Sequence, residues 1–423
     1  MLSKIEEKEI ILKNREYFLK KEKFVKRGIN IEGIISNPQI SVITGIRRCG
    51  KSVLLKLIQK TITDGETYYL NFNDPKLIDT NISDIIKLFE NYFEMFPSEK
   101  KYIFLDEVQE IKGWHKLILE FYEEKYKVII TGSNGNLLSK DIATYLTGRQ
   151  HTITLFPFSF KEYLMLKNIS IDTHNKSKKE LIHLKKAFKE YIQNGGFPQV
   201  IQQENTQLLK EYFESILYKD VIVRNKVSYA KELKELAFYI ISNNTKISSY
   251  KKLRETIQVK SLSTIKEYLD YLENSYIILQ LPKYEYSIRT QIRTSKKLYS
   301  IDTGLINEIT FKTSTDEGRL LENSVFLELK RKQKEIYYHN DKYECNFIIK
   351  TKNKITQAIQ VSLDLSKTET KKRELNGLMD ALNKYKLKEG TILTEDEEDE
   401  ITIEKKKIKI IPVWKWLLNN KLN

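Results

Sequence analysis

Hydrophobic residues are spaced in two rhythms along this chain, and the order of the rhythms divides it. Residues 39–44, 68–71, 101–106, 127–131 and 152–156 are short, mostly apolar runs rich in Ile, Val, Tyr and Phe, the signature of buried strands. Between them apolar residues recur at helical spacing, as in Val53, Leu54, Leu57, Ile58 and Ile62. Strand alternating with helix predicts an α/β domain with a parallel sheet over residues 1–165. Residues 175–235 are helical in pattern, broken at Gly195-Gly196-Phe197-Pro198, a stop signal between helices. A helix, turn, helix pattern follows: 236–242, 250–257 and 263–272, with Ile265, Tyr268, Leu269 and Leu272 as an apolar stripe. β-like runs stand at 277–281 and 297–301. From Gly318 a helix carrying Glu322 and Glu328 leads into expected strands at 335–338, 345–350 and 357–362, with a last one at 408–413. The expected division is 1–165, 166–230, 231–317 and 318–423.

Composition narrows the classes. A length of 423 residues suggests two or three folded units at roughly 150 residues each. With 15 Gly and 7 Pro the chain is not of low complexity. Its two cysteines, Cys49 and Cys345, cannot build a disulfide framework or a four-cysteine metal site. No apolar run approaches the roughly 18 residues that span a bilayer, and the charged start lacks a signal-peptide core, so a cytoplasmic protein is expected. The net charge of +15 favours nucleic acid or an anionic surface. A Lys-, Ile- and Tyr-rich composition reflects biased genomic base content just as readily, so charge alone selects no partner.

The first strand runs into Gly45-Ile46-Arg47-Arg48-Cys49-Gly50-Lys51-Ser52, which fits the phosphate-binding loop G-x-x-x-x-G-K-[ST]. Strand, loop and helix come in the order the motif requires. The glycines let backbone N–H groups and the helix N-terminus face a phosphate. The loop from Gly45 to Val53 is therefore the expected nucleotide-binding segment, with Lys51 on the β- and γ-phosphates and the Ser52 hydroxyl on Mg²⁺. Downstream, the strand 101–106 ends in Asp106-Glu107. Asp106 is placed to hold Mg²⁺, and Glu107 to polarise the attacking water. The strand 127–131 leads to Ser133 and Asn134, both candidates to contact the γ-phosphate or the water. Arg149, after this strand, is a candidate arginine finger for its own site or a neighbour's.

Gly45 to Ser52, Leu105-Asp-Glu-Val-Gln109, Thr131-Gly-Ser-Asn134, Leu146-Thr-Gly-Arg149 and Phe156-Pro-Phe-Ser-Phe-Lys-Glu-Tyr163 together resemble a prokaryotic family of AAA-type ATPases. Its members join such a core to a C-terminal domain of uncharacterised function. The resemblance runs through most of the chain. It implies an ASCE-type sheet, with the Ser133 strand between the other two motif strands, an adenine nucleotide as ligand, and a helical lid over 166–230. No N-K-x-D guanine-reading motif follows, which agrees with ATP. Tyr218, Asp220, Val221 and Arg224 also match the family; for Arg224 a salt bridge within its helix is the favoured role over nucleotide sensing.

The 231–317 region reads as winged-helix-like. Its loop of Lys283, Arg289, Arg293, Lys296 and Lys297 against Glu285 could track a phosphate backbone, whereas Glu267, Asp270 and Glu273 on the proposed recognition helix would repel DNA. The last region resembles a restriction-endonuclease-like core in which Asn346, Gln360 and Ser362 stand where acids and a lysine are needed, so it is expected to be catalytically silent. The acidic run 395–400 and Lys405 to Lys407 read as a solvated loop. The function expected is Mg²⁺-dependent ATP hydrolysis that rearranges the later domains. The alternatives are an ATP-controlled DNA-binding regulator or defence component and an ATP-gated nuclease. DNA, a protein and a second copy of the chain all remain candidate partners.

Overall fold

The apolar runs of the N-terminal third pair into one sheet. In the computed structural model, which describes residues 3–78, 80–133, 146, 148–172, 177–310 and 317–419, the chain divides into two units, Met1–Leu155 and Phe156–Asn423. Among the described residues no helix is long and apolar enough to cross a membrane.

The first unit holds strands β1 (Ile40–Thr44), β2 (Glu66–Asn71), β3 (Lys101–Asp106), β4 (Lys127–Gly132) and β5 (Gln150–Thr154). They pair in parallel in the order β2-β3-β4-β1-β5. A parallel sheet is covered on both faces, hence the near-continuous apolar runs. Ile40, Val42, Tyr68, Leu70, Ile103, Leu105, Val128 and Ile130 share one core with residues of the helices Lys4–Leu19, Ile82–Met95 and Trp114–Glu123. The alternate residues Ile43, Phe104 and Ile129 are buried too, as are Leu54, Leu55 and Ile58 of the helix Lys51–Gln59. β4 lies between β1 and β3, the order the family resemblance implied. With Thr44 opposite Gly132 and Leu105 opposite Ile130, the carboxyl ends of these three strands open side by side.

In the second unit the helix Lys178–Asn194 stops at Gly195, and Pro198 opens the helix Pro198–Gln203. The helix Gln207–Ser215 continues into a π-helical stretch, Ile216–Val223, after which Arg224 approaches the buried Asp220 at 3.9 Å. Helices Ala230–Ser242, Tyr250–Ile257 and Leu262–Asn274 accompany an antiparallel sheet of β6 (Ile247–Ser248), β7 (Ile278–Pro282) and β8 (Lys296–Ser300), in the order β6-β8-β7. The connection from β7 to β8 contains the short helix Ile288–Arg293. Asp302 caps the next helix, Thr303–Ile309, accepting from the Leu305 N–H at 3.2 Å and from the Gly196 N–H at 2.6 Å. Burial, opposed by these backbone bonds, pushes its carboxyl up to about 6.

The remaining strands are β9 (Glu335–Asn340), β10 (Glu344–Thr351), β11 (Lys354–Val361), β12 (Glu389–Thr394), β13 (Asp399–Ile403) and β14 (Lys406–Pro412), ordered β13-β14-β12-β11-β10-β9. The helix Glu317–Arg331 precedes them and Thr368–Lys384 joins β11 to β12. The acidic run expected as a loop instead leads into an edge strand. Its alternation Glu400, Ile401, Thr402, Ile403 suits a pleat, and Lys407 pairs with Glu400 at 2.8 Å.

Three charged residues differ from the solvent-facing roles expected of them. Glu273 turns inward to accept from the backbone and side-chain amides of Gln280 at 3.0 and 2.6 Å. Lys283 is held at the base of its loop by Glu285 (2.8 Å) and Asp341 (3.2 Å). Lys297 is buried, with Glu322 at 2.7 Å and Glu344 at 2.6 Å, and the Tyr299 hydroxyl also donates to Glu322 at 2.7 Å. The Tyr299 ring stacks on Phe326 with centroids 3.9 Å apart. The basic loop therefore loses two of its five cations to internal pairing. Nearby, the amides at the nuclease-like positions bind backbone: Asn346 accepts from the Val361 N–H at 2.8 Å, and Gln360 from the Asn346 N–H at 3.0 Å. They line a cleft of about 650 Å³ that also receives Glu322, Glu344 and Ser362.

Candidate functional site

β1 delivers the chain to Gly45, whose φ of 143° and position admit no side chain, since a Cβ there would lie 2.1 Å from the Leu155 carbonyl oxygen. The Leu155 N–H in turn donates to Thr44 at 2.7 Å, tying the end of β1 to the residue after β5. Ile46 and Cys49 are buried, Arg47 is half-buried and Arg48 exposed. The Cys49 N–H bonds back to the Ile46 carbonyl at 3.3 Å, closing the turn, and Arg27 donates to the Cys49 carbonyl at 3.0 Å. Gly50, left-handed at φ 101°, begins the helix Lys51–Gln59 without a side-chain cap. Its first amides are thus open to an outside acceptor. Val53 lies in the first turn of that helix.

Lys51 is 4% exposed and folds back on this loop. Its Nζ donates to the carbonyl oxygens of Gly45 (3.2 Å) and Ile46 (3.4 Å) and to Ser133 Oγ (2.9 Å), with Glu107 Oε1 3.6 Å away. Ser133, buried just beyond β4, donates in turn to both Glu107 oxygens at 2.8 Å. A lysine from the β1 loop and a carboxylate from the end of β3 are thus bridged by a hydroxyl from the end of β4. The parallel register converts residues scattered over 82 positions into neighbours. Asn134 lies outside the described residues.

Asp106 and Glu107 are adjacent but differently housed. Asp106 is 1% exposed, takes hydrogen bonds from Thr131 and from the Tyr69 hydroxyl (3.0 Å), and is bonded to Ser52. Burial, reinforced by the charge of Glu107, pushes its carboxyl up. Glu107 stands in the left-handed region at φ 56°, its N–H bound to Thr131 Oγ1 at 3.0 Å. That backbone turn directs its carboxylate away from Asp106 toward Ser133 and Gln109, which donates at 2.6 Å. Burial opposes its charge, but Lys51, the bonds from Gln109 and Ser133, and Arg47 outweigh it and hold its carboxyl below the ordinary range. Among the described residues no cation pairs directly with Asp106. A buried carboxylate raised by a neighbouring acid, with a serine hydroxyl beside it, is a hard-oxygen donor pair that fits Mg²⁺, which keeps most of its other ligands as water or phosphate.

Three residues here were not singled out from sequence: Thr131, Tyr69 and Gln109. Thr131 carried a signal, being the one polar residue that ends the apolar run of β4. Tyr69 carried none; its position is fixed by the β2–β3 pairing and by Phe18, which stacks on its ring at 4.2 Å.

Arg149 lies elsewhere. It precedes β5, its carbonyl accepts from the Ile40 N–H at 2.9 Å, and its exposed guanidinium is 5.8 Å from the Tyr122 ring centre. β5 is parallel to β1, so Arg149 sits at the amino end of the sheet. The length of β1, roughly 16 Å at ~3.3 Å per residue, separates it from the loop at Gly45. It is not brought to the Lys51 cluster of its own chain.

Residues 37–164 match the family described as an AAA domain, and residues 185–316 match a domain of unknown function, DUF8612. An uncharacterized protein of Methanocaldococcus jannaschii is 35% identical over 97% of this chain and 94% of its own length. Another, from Haemophilus influenzae, is 31% identical over 90% of this chain and 94% of its own. A Walker-type ATPase of Pyrococcus abyssi of known structure overlays with a TM-score of 0.44 at 14% identity, covering 66% of this chain and 92% of that one. A phosphate-binding loop on a parallel sheet of this strand order, together with full-length relatives in an archaeon and a bacterium, leads to one assignment: the chain belongs to a prokaryotic family of AAA-type, P-loop ATPase-fold proteins that join the AAA domain to a domain of unknown function.

Proposed function

We propose that the protein hydrolyses ATP with Mg²⁺ and uses the nucleotide cycle to rearrange its second unit. The observation that carries this reading is the Lys51, Ser133, Glu107 bridge, a cation and an ionised carboxylate joined by a hydroxyl beside an uncapped helix N-terminus. The amides of Gly45 to Val53 would cradle the phosphates, and Lys51 would exchange its carbonyl contacts for phosphate oxygens. Ser52 and Asp106 would hold Mg²⁺, which when bound neutralises charge developing on the transferred phosphoryl group. Glu107, kept ionised, accepts a proton from the attacking water, and Ser133 orients that carboxylate. Arg149, being remote from its own loop, is assigned to the site of a second copy of the chain.

Lys51→Ala is the direct test. Steady-state ATP turnover that persists at the wild-type rate in this variant sinks the assignment. Mixing Lys51→Ala with Arg149→Ala protein tests the shared site, because activity returns only if one copy supplies Arg149 to another.

Within the second unit the helix and strand order supports a helical lid over 166–230, a winged-helix-like region over 231–317 and a nuclease-like end over 318–423. A second reading, an ATP-controlled DNA-binding regulator with little turnover, is favoured by one feature. Arg289 and Arg293 are exposed in a stretch with no acidic residue between Glu285 and Asp302. ATP turnover measured with and without duplex DNA separates the two, since only the first predicts a sizeable basal rate.

A further inference from the structure

The β7–β8 connection is fixed at its base and largely exposed at its tip, where the Tyr286 ring touches only the edge of Tyr284, with centroids 5.4 Å apart, and Gln291 bonds to Tyr337. At the base, the Tyr284 N–H donates to the Tyr338 carbonyl at 3.0 Å, and the Tyr284 ring meets Tyr337 and Tyr385 edge-on at 5.3 and 5.5 Å. Beyond it, Tyr286 is 78% exposed, Ile288 74% and Ile292 63%. The short helix Ile288–Arg293 has no buried residue at all. Ile288 and Ile292 stand four apart and share one face; Arg289 and Arg293 share the next. Exposed isoleucines are ordinary singly, but a ring and two branched side chains within seven residues on an anchored loop form an apolar patch of the kind that marks an interaction site.

Charge and size select that partner. A six-residue helix offers too little apolar face to anchor on a membrane, where amphipathic segments are longer and rely on many lipid contacts. An acidic duplex suits the two arginines, and small apolar wedges flanked by arginines are how proteins enter a minor groove and part a base step. We propose that the tip of this connection is a DNA wedge, with Arg289 and Arg293 on the backbone or in the minor groove and Ile288, Ile292 and Tyr286 pressed into a base step. This rests on the reading that nucleic acid is the partner of the second unit, and does not depend on ATP turnover.

A wedge binds best where unstacking costs least, so a duplex with one mismatch should outbind the same duplex fully paired. With the full-length protein, fluorescence anisotropy on labelled 30-base-pair duplexes is expected to show at least a tenfold preference for the mismatch. The triple variant Tyr286→Ser, Ile288→Ser, Ile292→Ser should lose the preference while keeping paired-duplex affinity within about threefold. Arg289→Glu with Arg293→Glu should weaken both duplexes at least tenfold. All five side chains are exposed, so the thermal unfolding midpoint should be unchanged and reports intact folding. Equal affinity of the wild type for the two duplexes overturns the wedge, as does retention on phosphatidylserine vesicles with no duplex binding. Mismatch preference without any effect of DNA on turnover leaves the wedge standing and removes only the coupling between DNA and ATP.

Discussion

Each unit of the molecule buries a lysine beside a glutamate, and the two lysines are bonded in opposite ways. Lys51 is held by carbonyl oxygens at 3.2 and 3.4 Å and a hydroxyl at 2.9 Å, with the nearest carboxylate at 3.6 Å. Lys297 lies between two carboxylates at 2.7 and 2.6 Å, one of which also takes a tyrosine hydroxyl. The neutral contacts of Lys51 are weak enough to be exchanged for an anion. Those of Lys297 are not, because a desolvated ammonium stripped of its carboxylates has nothing comparable to turn to. Lys51 is thus held by neutral oxygens with a carboxylate further off, whereas Lys297 is held by two carboxylates directly.

Exchanging the roles of these clusters by mutation should break the contrast at its strongest point. Glu107→Gln removes the carboxylate proposed as the base but keeps its shape, so turnover should fall by roughly 10² to 10⁴ while ATP binding, read by equilibrium titration, persists. Lys297→Met should leave nucleotide affinity alone but cost about 3–5 kcal/mol of stability, since Glu322 is left buried without its cation; denaturant unfolding measures it. Asp302 sharpens the same point through pH. Its folded value of about 6 exceeds the ordinary aspartate value of 3.8, so its contribution to stability is present below pH 4 and is lost as the pH rises through 6. Relative to Asp302→Asn, the wild type should lose up to about 3 kcal/mol between pH 4 and 7. The smallest effect is Thr131→Val, which removes one hydroxyl from Asp106 and the Glu107 amide and should lower turnover by about tenfold, near 1.4 kcal/mol. If Thr131→Val instead matches Glu107→Gln, then the hydroxyl is part of the chemistry and not a support for it.

The phosphate-binding loop was legible because its residues are contiguous and its glycines answer to backbone geometry alone. The nearness of Asp106 and Glu107 to that loop was legible because they end an apolar strand of the same alternating pattern, and parallel pairing brings them beside Ser52 and Lys51. Thr131 and Tyr69 escaped because they act across strands, and a parallel register is not written in either strand by itself. The second unit shows the converse. Lys283, Glu273 and Lys297 look solvated in sequence, yet their partners lie at Asp341, Gln280, Glu322 and Glu344. The charge of a side chain is readable from sequence, but whether it faces water depends on partners up to 58 residues away. Arg149 belongs to the same lesson: its place just before β5 was clear, but only the parallel pairing with β1 shows which end of the sheet that is.

The joint formed by Lys297 with Glu322 and Glu344, and by the Tyr299 and Phe326 rings, also limits how the protein can be taken apart. A truncation at residue 317 separates the three-stranded sheet from the helix and strand that complete its ionic and aromatic contacts. Both fragments would then expose a group that had been shielded from water, Lys297 in one and Glu322 in the other. The two sides of residue 317 are therefore expected to unfold together. A fragment ending there is expected to aggregate or to be cleaved by proteases, and the intact stretch from Phe156 onward to melt in a single calorimetric transition.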